Sequence, residues 1–168
     1  MLRRTLLAAG LTLPLSVAHA RAPGTVVTTT GERINDHGFR PAAGPRGATG
    51  WDILGATRGV ERSVGGFTML APVFPAAVRS LDGRTVRVPG YMYAMSTAPR
   101  QTRYLLMAFP PSCPFCLDIG PAYFIDVLSR AGEPVSQDLM IVEGRLSLLD
   151  SDPDNFFYRL TDARRVRA

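Results

Sequence analysis

The chain has 168 residues, of which 46% are apolar, and a formal net charge of +5 in which every basic residue is arginine. That length supports one domain with a real core and not comfortably two. The arginines are scattered, as on a solvated surface, apart from Arg164, Arg165 and Arg167 near the end, so a broad nucleic-acid stripe is disfavoured and only that cluster suits an acidic lipid or partner.

Arg3 and Arg4 precede an apolar run from Leu6 to Val17, interrupted by Pro14 and closed by Ala18-His19-Ala20. A positive head, an apolar middle too short to span a bilayer and small residues at the end make a cleavable export signal over residues 1–20. The paired arginines before Thr5 also admit the twin-arginine route. The mature protein is therefore expected in the periplasm, without a stable transmembrane anchor. Residues 21–48 are rich in Gly and Pro and poor in apolar side chains. They bury too little to offset the entropy of ordering them and are expected to form a flexible arm.

Order is expected from 49 to 168. Thr49 is placed to cap a short helix through Trp51, Asp52, Ile53 and Leu54, and Pro75 to start a second one ending near Leu81, with Gly83 beyond it. Gly65 and Gly66 read as a flexible connection between the two. From Arg84 the apolar period falls to two. Thr85–Val88 alternates, Pro89-Gly90 marks a bulge or bend, and Tyr91–Tyr93 resumes the strand. Further strands are predicted at Tyr104–Phe109, Tyr123–Leu128, Met140–Leu148 and Phe156–Leu160. Five short strands, a kinked first one and no long helix among them predict a mainly β chain: a small five-stranded OB-like Greek-key barrel preceded by one or two short helices.

The run Asp82-Gly83-Arg84-Thr85-Val86-Arg87-Val88-Pro89-Gly90-Tyr91-Met92, the apolar strand Leu105-Leu106-Met107 leading into a proline- and cysteine-containing loop, and Val142-Glu143-Gly144-Arg145-Leu146 resemble the bacterial domain-of-unknown-function 3299 family. The resemblance runs from about Trp51 to the C-terminus and implies an exported protein with an OB-like domain. It brings no settled activity. Loops of that family commonly carry a cysteine followed closely by a histidine and several prolines. Here Cys113 and Cys116 stand in the loop, and neither a histidine nor a proline run follows them.

Chemistry concentrates in Ser112-Cys113-Pro114-Phe115-Cys116-Leu117-Asp118, which holds the chain's only two cysteines. Three readings stand open. In an exported protein the pair suits a disulfide, although so small a loop gains little entropically, below about 3 kcal/mol. Two thiols at this spacing also suit thiol-disulfide exchange, but Gly120-Pro121 stops any helix that would activate the first of them, which disfavours a thioredoxin fold. Finally, two thiolates chelate a soft or borderline ion, zinc or copper(I), with Asp118 or His37 as a third ligand or with Met92, Met95 or Met107 as thioether donors to copper. A closed four-ligand zinc site is beyond what one chain supplies.

No nucleophile elbow, phosphate-binding loop or histidine pair is present. Asp150, Asp152 and Asp154 resemble a calcium loop but lack its glycine, and read as a solvated acidic turn. Tyr91, Tyr93, Tyr104 and Phe109 are candidates for stacking nucleic-acid bases on an OB face, and more simply for core and rim. The combined expectation is a non-enzymatic periplasmic binding protein. Cys113, Cys116 and Asp118 are its candidate metal ligands, and its partner is a metal ion or an envelope protein, with no nucleic acid. Its rivals are a redox protein using the same cysteines and a partner-binding module with a structural disulfide.

Overall fold

A computed structural model describes residues 26–27, 33–34, 40–111 and 120–167. Ahead of the main body, β1 (Val26–Val27) and β2 (Arg33–Ile34) form a short antiparallel pair. A one-turn helix α1 (Trp51–Leu54) follows, then the antiparallel hairpin β3 (Arg58–Val64) and β4 (Phe67–Val73), and a second one-turn helix α2 (Ala76–Arg79). Five strands complete the chain: β5 (Thr85–Ala94), β6 (Arg100–Met107), β7 (Phe124–Pro134), β8 (Met140–Leu148) and β9 (Tyr158–Val166). A short 3-10 turn, Pro121–Tyr123, leads into β7.

The five strands close a barrel in the order β5-β6-β7-β9-β8, with β7 and β9 parallel and every other pair antiparallel. A meander of three strands followed by two that return to meet the first is the Greek-key connection of an OB-like barrel. The barrel is the one read from the sequence; the β1–β2 pair and the β3–β4 hairpin ahead of it are not among the expected elements, and the barrel strands differ in length. β6 begins four residues before the predicted Tyr104, and β7 and β9 each extend six residues past the predicted ends. These extensions carry charged, exposed side chains such as Arg130, Arg164 and Arg165, so backbone pairing continues where the apolar pattern has stopped.

β5 closes the barrel by changing partners in mid-strand. Thr85 to Gly90 pair with β8 and Tyr91 to Ala94 pair with β6. The change falls at Pro89-Gly90, where the sequence predicts a bend. Pro89, which has no N–H to give, lends its carbonyl to the Trp51 indole at 2.7 Å. That bond seats α1 under the barrel. Trp51 and Leu54 from α1, Phe74, and Val78 from α2 are all at most 5% exposed and belong to the same core as the inward-facing Val88, Leu106, Ile125 and Leu160.

Two local expectations are corrected. The N-cap of α1 is Gly50 with no side-chain bond, because the Thr49 amide donates to Arg87 O at 2.7 Å and holds Thr49 in line with β5. Gly65 and Gly66 are the two-residue turn of the β3–β4 hairpin rather than a flexible connection, both with positive φ (59° and 85°) as a primed turn requires. The end of the stretch read as an arm lies against the barrel, since buried Ala42 donates its N–H to Ala108 O at 2.7 Å.

Candidate functional site

The cysteine loop belongs to the β6–β7 connection, and the stems of that connection are fixed. Beyond the last β6–β7 pair, Met107 with Phe124, Ala108 N–H donates to Tyr123 O at 2.9 Å. The Phe109 and Tyr123 rings pack at a tilt of 47° with a centroid separation of 5.7 Å, and Phe109 is buried. The chain re-emerges at Gly120 with φ 77° and enters the 3-10 turn. Cys113, Cys116 and Asp118, together with His37, lie outside the described residues. The other proposed ligands do not converge. Met92 is buried in the barrel core and Met107 in a separate outer cluster, while Met95 is 45% exposed. The first two are packing residues, as methionines in strand patterns usually are.

Beside this connection the structure assembles a charged network that sequence reading does not find. β6 and β7 turn Leu105, Met107 and Phe124 away from the barrel interior, where they pack with Leu149 and Phe156 of the loop joining β8 to β9. On the same outer surface stands Asp126, fully buried. Its carboxylate accepts from Arg103 Nε at 2.8 Å and from Arg159 Nε at 2.7 Å, one guanidinium from each flanking strand. Arg159 also donates to Asp152 at 3.1 Å and Arg103 to Asp154 at 3.3 Å. Hydrogen bonding to Asp126 is the main reason both guanidinium pKa values rise further above their ordinary range. A carboxylate removed from water in this way is held by its partners, so losing either arginine leaves a buried charge only partly matched.

The acidic turn at 150–154 is therefore not simply solvated. Asp150 is exposed, but Asp152 is 8% exposed, and its Oδ1 accepts the N–H groups of Asp154 and Phe156, which folds the loop into a strap. The network fastens this strap over the outer face of β6 and β7. Its job is structural: each carboxylate is matched to an arginine, and no cluster of three or more His, Cys, Asp or Glu among the described residues could hold a metal ion.

The aromatic residues divide as core and rim. Tyr104 and Phe109 are buried, Tyr91 is half-buried against the core and Tyr93 is 37% exposed. Tyr158 donates its hydroxyl proton to Leu54 O at 2.7 Å and shares a hydrogen bond with the Thr57 hydroxyl, and burial pushes its phenol pKa up to about 12. Among the described residues no helix is long and apolar enough to cross a membrane.

No protein-family model matches the chain. No curated protein matches it either. Among solved structures, the crystal structure of a DUF3299 family protein from Pseudomonas aeruginosa PAO1 is similar, at 20% identity and a TM-score of 0.40, covering 54% of this chain and 66% of that one. It comes from the same family that the strand and loop motifs of this sequence resemble.

Proposed function

We propose that this chain is an exported, non-enzymatic binding domain of the bacterial periplasm that carries a soft transition-metal ion, zinc or copper(I), on Cys113 and Cys116, with Asp118 beside them. One observation carries the reading. The chain's only two cysteines stand three residues apart, a spacing at which two thiolates reach one ion, on a connection whose stems are fixed at Ala108 and Tyr123. Two thiolates and one carboxylate fall short of the four ligands of a closed structural zinc site. An open position suits an ion that is taken up and passed to an envelope partner.

A thiol-disulfide role is the second reading, favoured by an even pair of cysteines in an exported chain. Against strong activation of Cys113, any helix begun there must end before Gly120, where the backbone turns left-handed and leads to β7.

The test is the native mass of the mature protein purified without chelator or reductant. The expected mass is that of the chain plus one metal ion. The ion is expected to be lost to a chelator and absent from the Cys113→Ser/Cys116→Ser variant. A mass about two units below the reduced chain, with no adduct, identifies a disulfide and removes the metal reading.

A further inference from the structure

β3 and β4 form a sheet of their own, and among the described residues no strand pairs with the outer edge of β3, whose main neighbour besides its hairpin partner is the 3-10 turn Pro121–Tyr123, whereas the strap lies along β4. The Leu70 N–H points away from β3, because it donates to Asn155 Oδ1 of the strap at 3.2 Å. Leu70 and its cross-strand partner Glu61 are therefore a non-hydrogen-bonded pair, and Glu61 in turn directs its own N–H and C=O away from β4. By the two-residue period of a strand, Gly59 and Ser63 do the same. All three residues are exposed, and no hydrogen bond from a described residue reaches their outward groups. β3 contains no proline, and its pairing with β4 has no bulge, so it lacks two of the devices that blunt an edge.

The side chains along this edge define what it can accept. Opposed residues share a face, so Arg58, Val60 and Arg62 stand on one face, across from Val73, Ala71 and Met69, while Glu61 stands on the other. Val60 and Val73 are diagonal neighbours, 52% and 42% exposed. Neither Arg58 nor Arg62 makes an ion pair with a described residue, although Arg62 and Asp150 line one small crevice beside β4. Self-pairing is opposed by charge. In the three antiparallel registers that overlap two copies of β3 the most, with outward residues meeting, Glu61 faces Glu61, Arg58 faces Arg62 or Arg62 faces Arg62, and like charges directly opposite are destabilising.

We infer that the open edge of β3 docks an extended segment of a partner protein by strand addition, with acidic side chains opposite Arg58 and Arg62 and a small apolar one opposite Val60. Backbone hydrogen bonds to Gly59, Glu61 and Ser63 hold the segment, and the two guanidinium groups set its sequence. Docking at this edge does not depend on whether Cys113 and Cys116 bind metal.

The probe is a fluorescein-labelled peptide, acetyl-Thr-Glu-Thr-Val-Thr-Glu-Thr-amide, titrated with the purified full chain and followed by anisotropy. Saturable binding is expected below about 1 mM. Glu61→Pro deletes an outward N–H while leaving the β3–β4 ladder intact, and should weaken binding about tenfold or more. The same peptide N-methylated at the amides that would face β3, titrated against the unaltered protein, should lose binding equally, which keeps the result independent of how the variant folds. Arg58→Glu/Arg62→Glu should reject this peptide and accept its lysine counterpart. Equal binding of the N-methylated peptide would reduce the interaction to charge attraction and overturn the proposal. No binding up to that concentration would overturn it as well, and so would a dimer in sedimentation that Glu61→Pro abolishes, which would make a second copy the occupant.

Discussion

The Tyr158 hydroxyl is a single group through which pH acts on the fold. Buried beneath α1 and tied to Leu54 and Thr57, it stays protonated up to about pH 12, whereas in the unfolded chain a tyrosine ionises near its ordinary value of about 10. The unfolded state therefore releases its proton first, so the stability this group contributes is whole below about pH 10 and declines as pH rises through about 12. Burial pushes the Tyr104 phenol up as well, in the same direction. Urea midpoints measured from neutral pH upward should fall across that window, and Tyr158→Phe should flatten part of the fall. At neutral pH the same substitution should cost about 1–3 kcal/mol, because the Leu54 carbonyl and the Thr57 hydroxyl lose their partner. An alkaline decline identical in the variant would assign the titration elsewhere. Asp126 shows the limit of the sequence at this scale. It sits in the run Phe124 to Leu128, which reads as an apolar strand, while Arg103 and Arg159, from β6 and β9, read as scattered surface cations. Only its place between Ile125 and Val127 marks it as belonging to the other face of β7.

Among the elements, the barrel strands are legible by two signals: a period of two where one face is buried, as in Thr85–Val88 and Met140–Leu148, and an unbroken apolar run where both are, as in the Tyr104–Met107 part of β6. The β3–β4 hairpin is not. Arg58, Glu61, Arg62 and Ser63 are exposed and give β3 no apolar alternation, so only Gly65-Gly66 could have revealed the turn, as a two-glycine loop of hairpin length. Pro89-Gly90 reads as a bulge or bend, and the structure has there a change of partner within one continuous strand, at which Gly90 has a steric reason to be glycine. A Cβ there would lie 2.7 Å from Leu106 Cγ and 2.8 Å from Met107 O, and the backbone oxygen belongs to the strand with which β5 has just begun to pair. Gly90→Ala should therefore destabilise the barrel by about 1–3 kcal/mol in denaturant titrations, the range for overpacking a filled site. Gly65→Asn, in open space at a φ asparagine tolerates, is the control expected to change little. Equal stability of Gly90→Ala and the unaltered protein would mean that β5 can shift at its change of partner.

At the scale of the molecule, the barrel and the segment before it form one cooperative unit. The sequence shows that short helices precede the strands. It does not show that they close the barrel, because the Trp51–Pro89 and Tyr158–Leu54 bonds join residues 38 and 104 positions apart, with no local pattern to record them. Trp51, Leu54 and Phe74 are each nearly or wholly buried in the barrel's own core. At about 1.5–3 kcal/mol for each large apolar side chain removed from water, together they contribute a share comparable to the whole stability of a small domain, about 5–15 kcal/mol. A chain beginning at Pro75 keeps all five barrel strands yet loses those three side chains from the core it shares with Leu106 and Leu160. It should lack a cooperative unfolding transition and bind a hydrophobic dye, whereas a chain beginning at Arg40 should unfold like the full protein. If the fragment from Pro75 instead unfolded cooperatively with nearly full stability, α1 and the hairpin would be appendages to a self-sufficient barrel. Because α1 and the 3-10 turn meet where Gly55 lies against the Tyr123 ring, the same segment supports the stem of the cysteine connection. Loss of that segment should thus disturb the stem at Tyr123 along with the core.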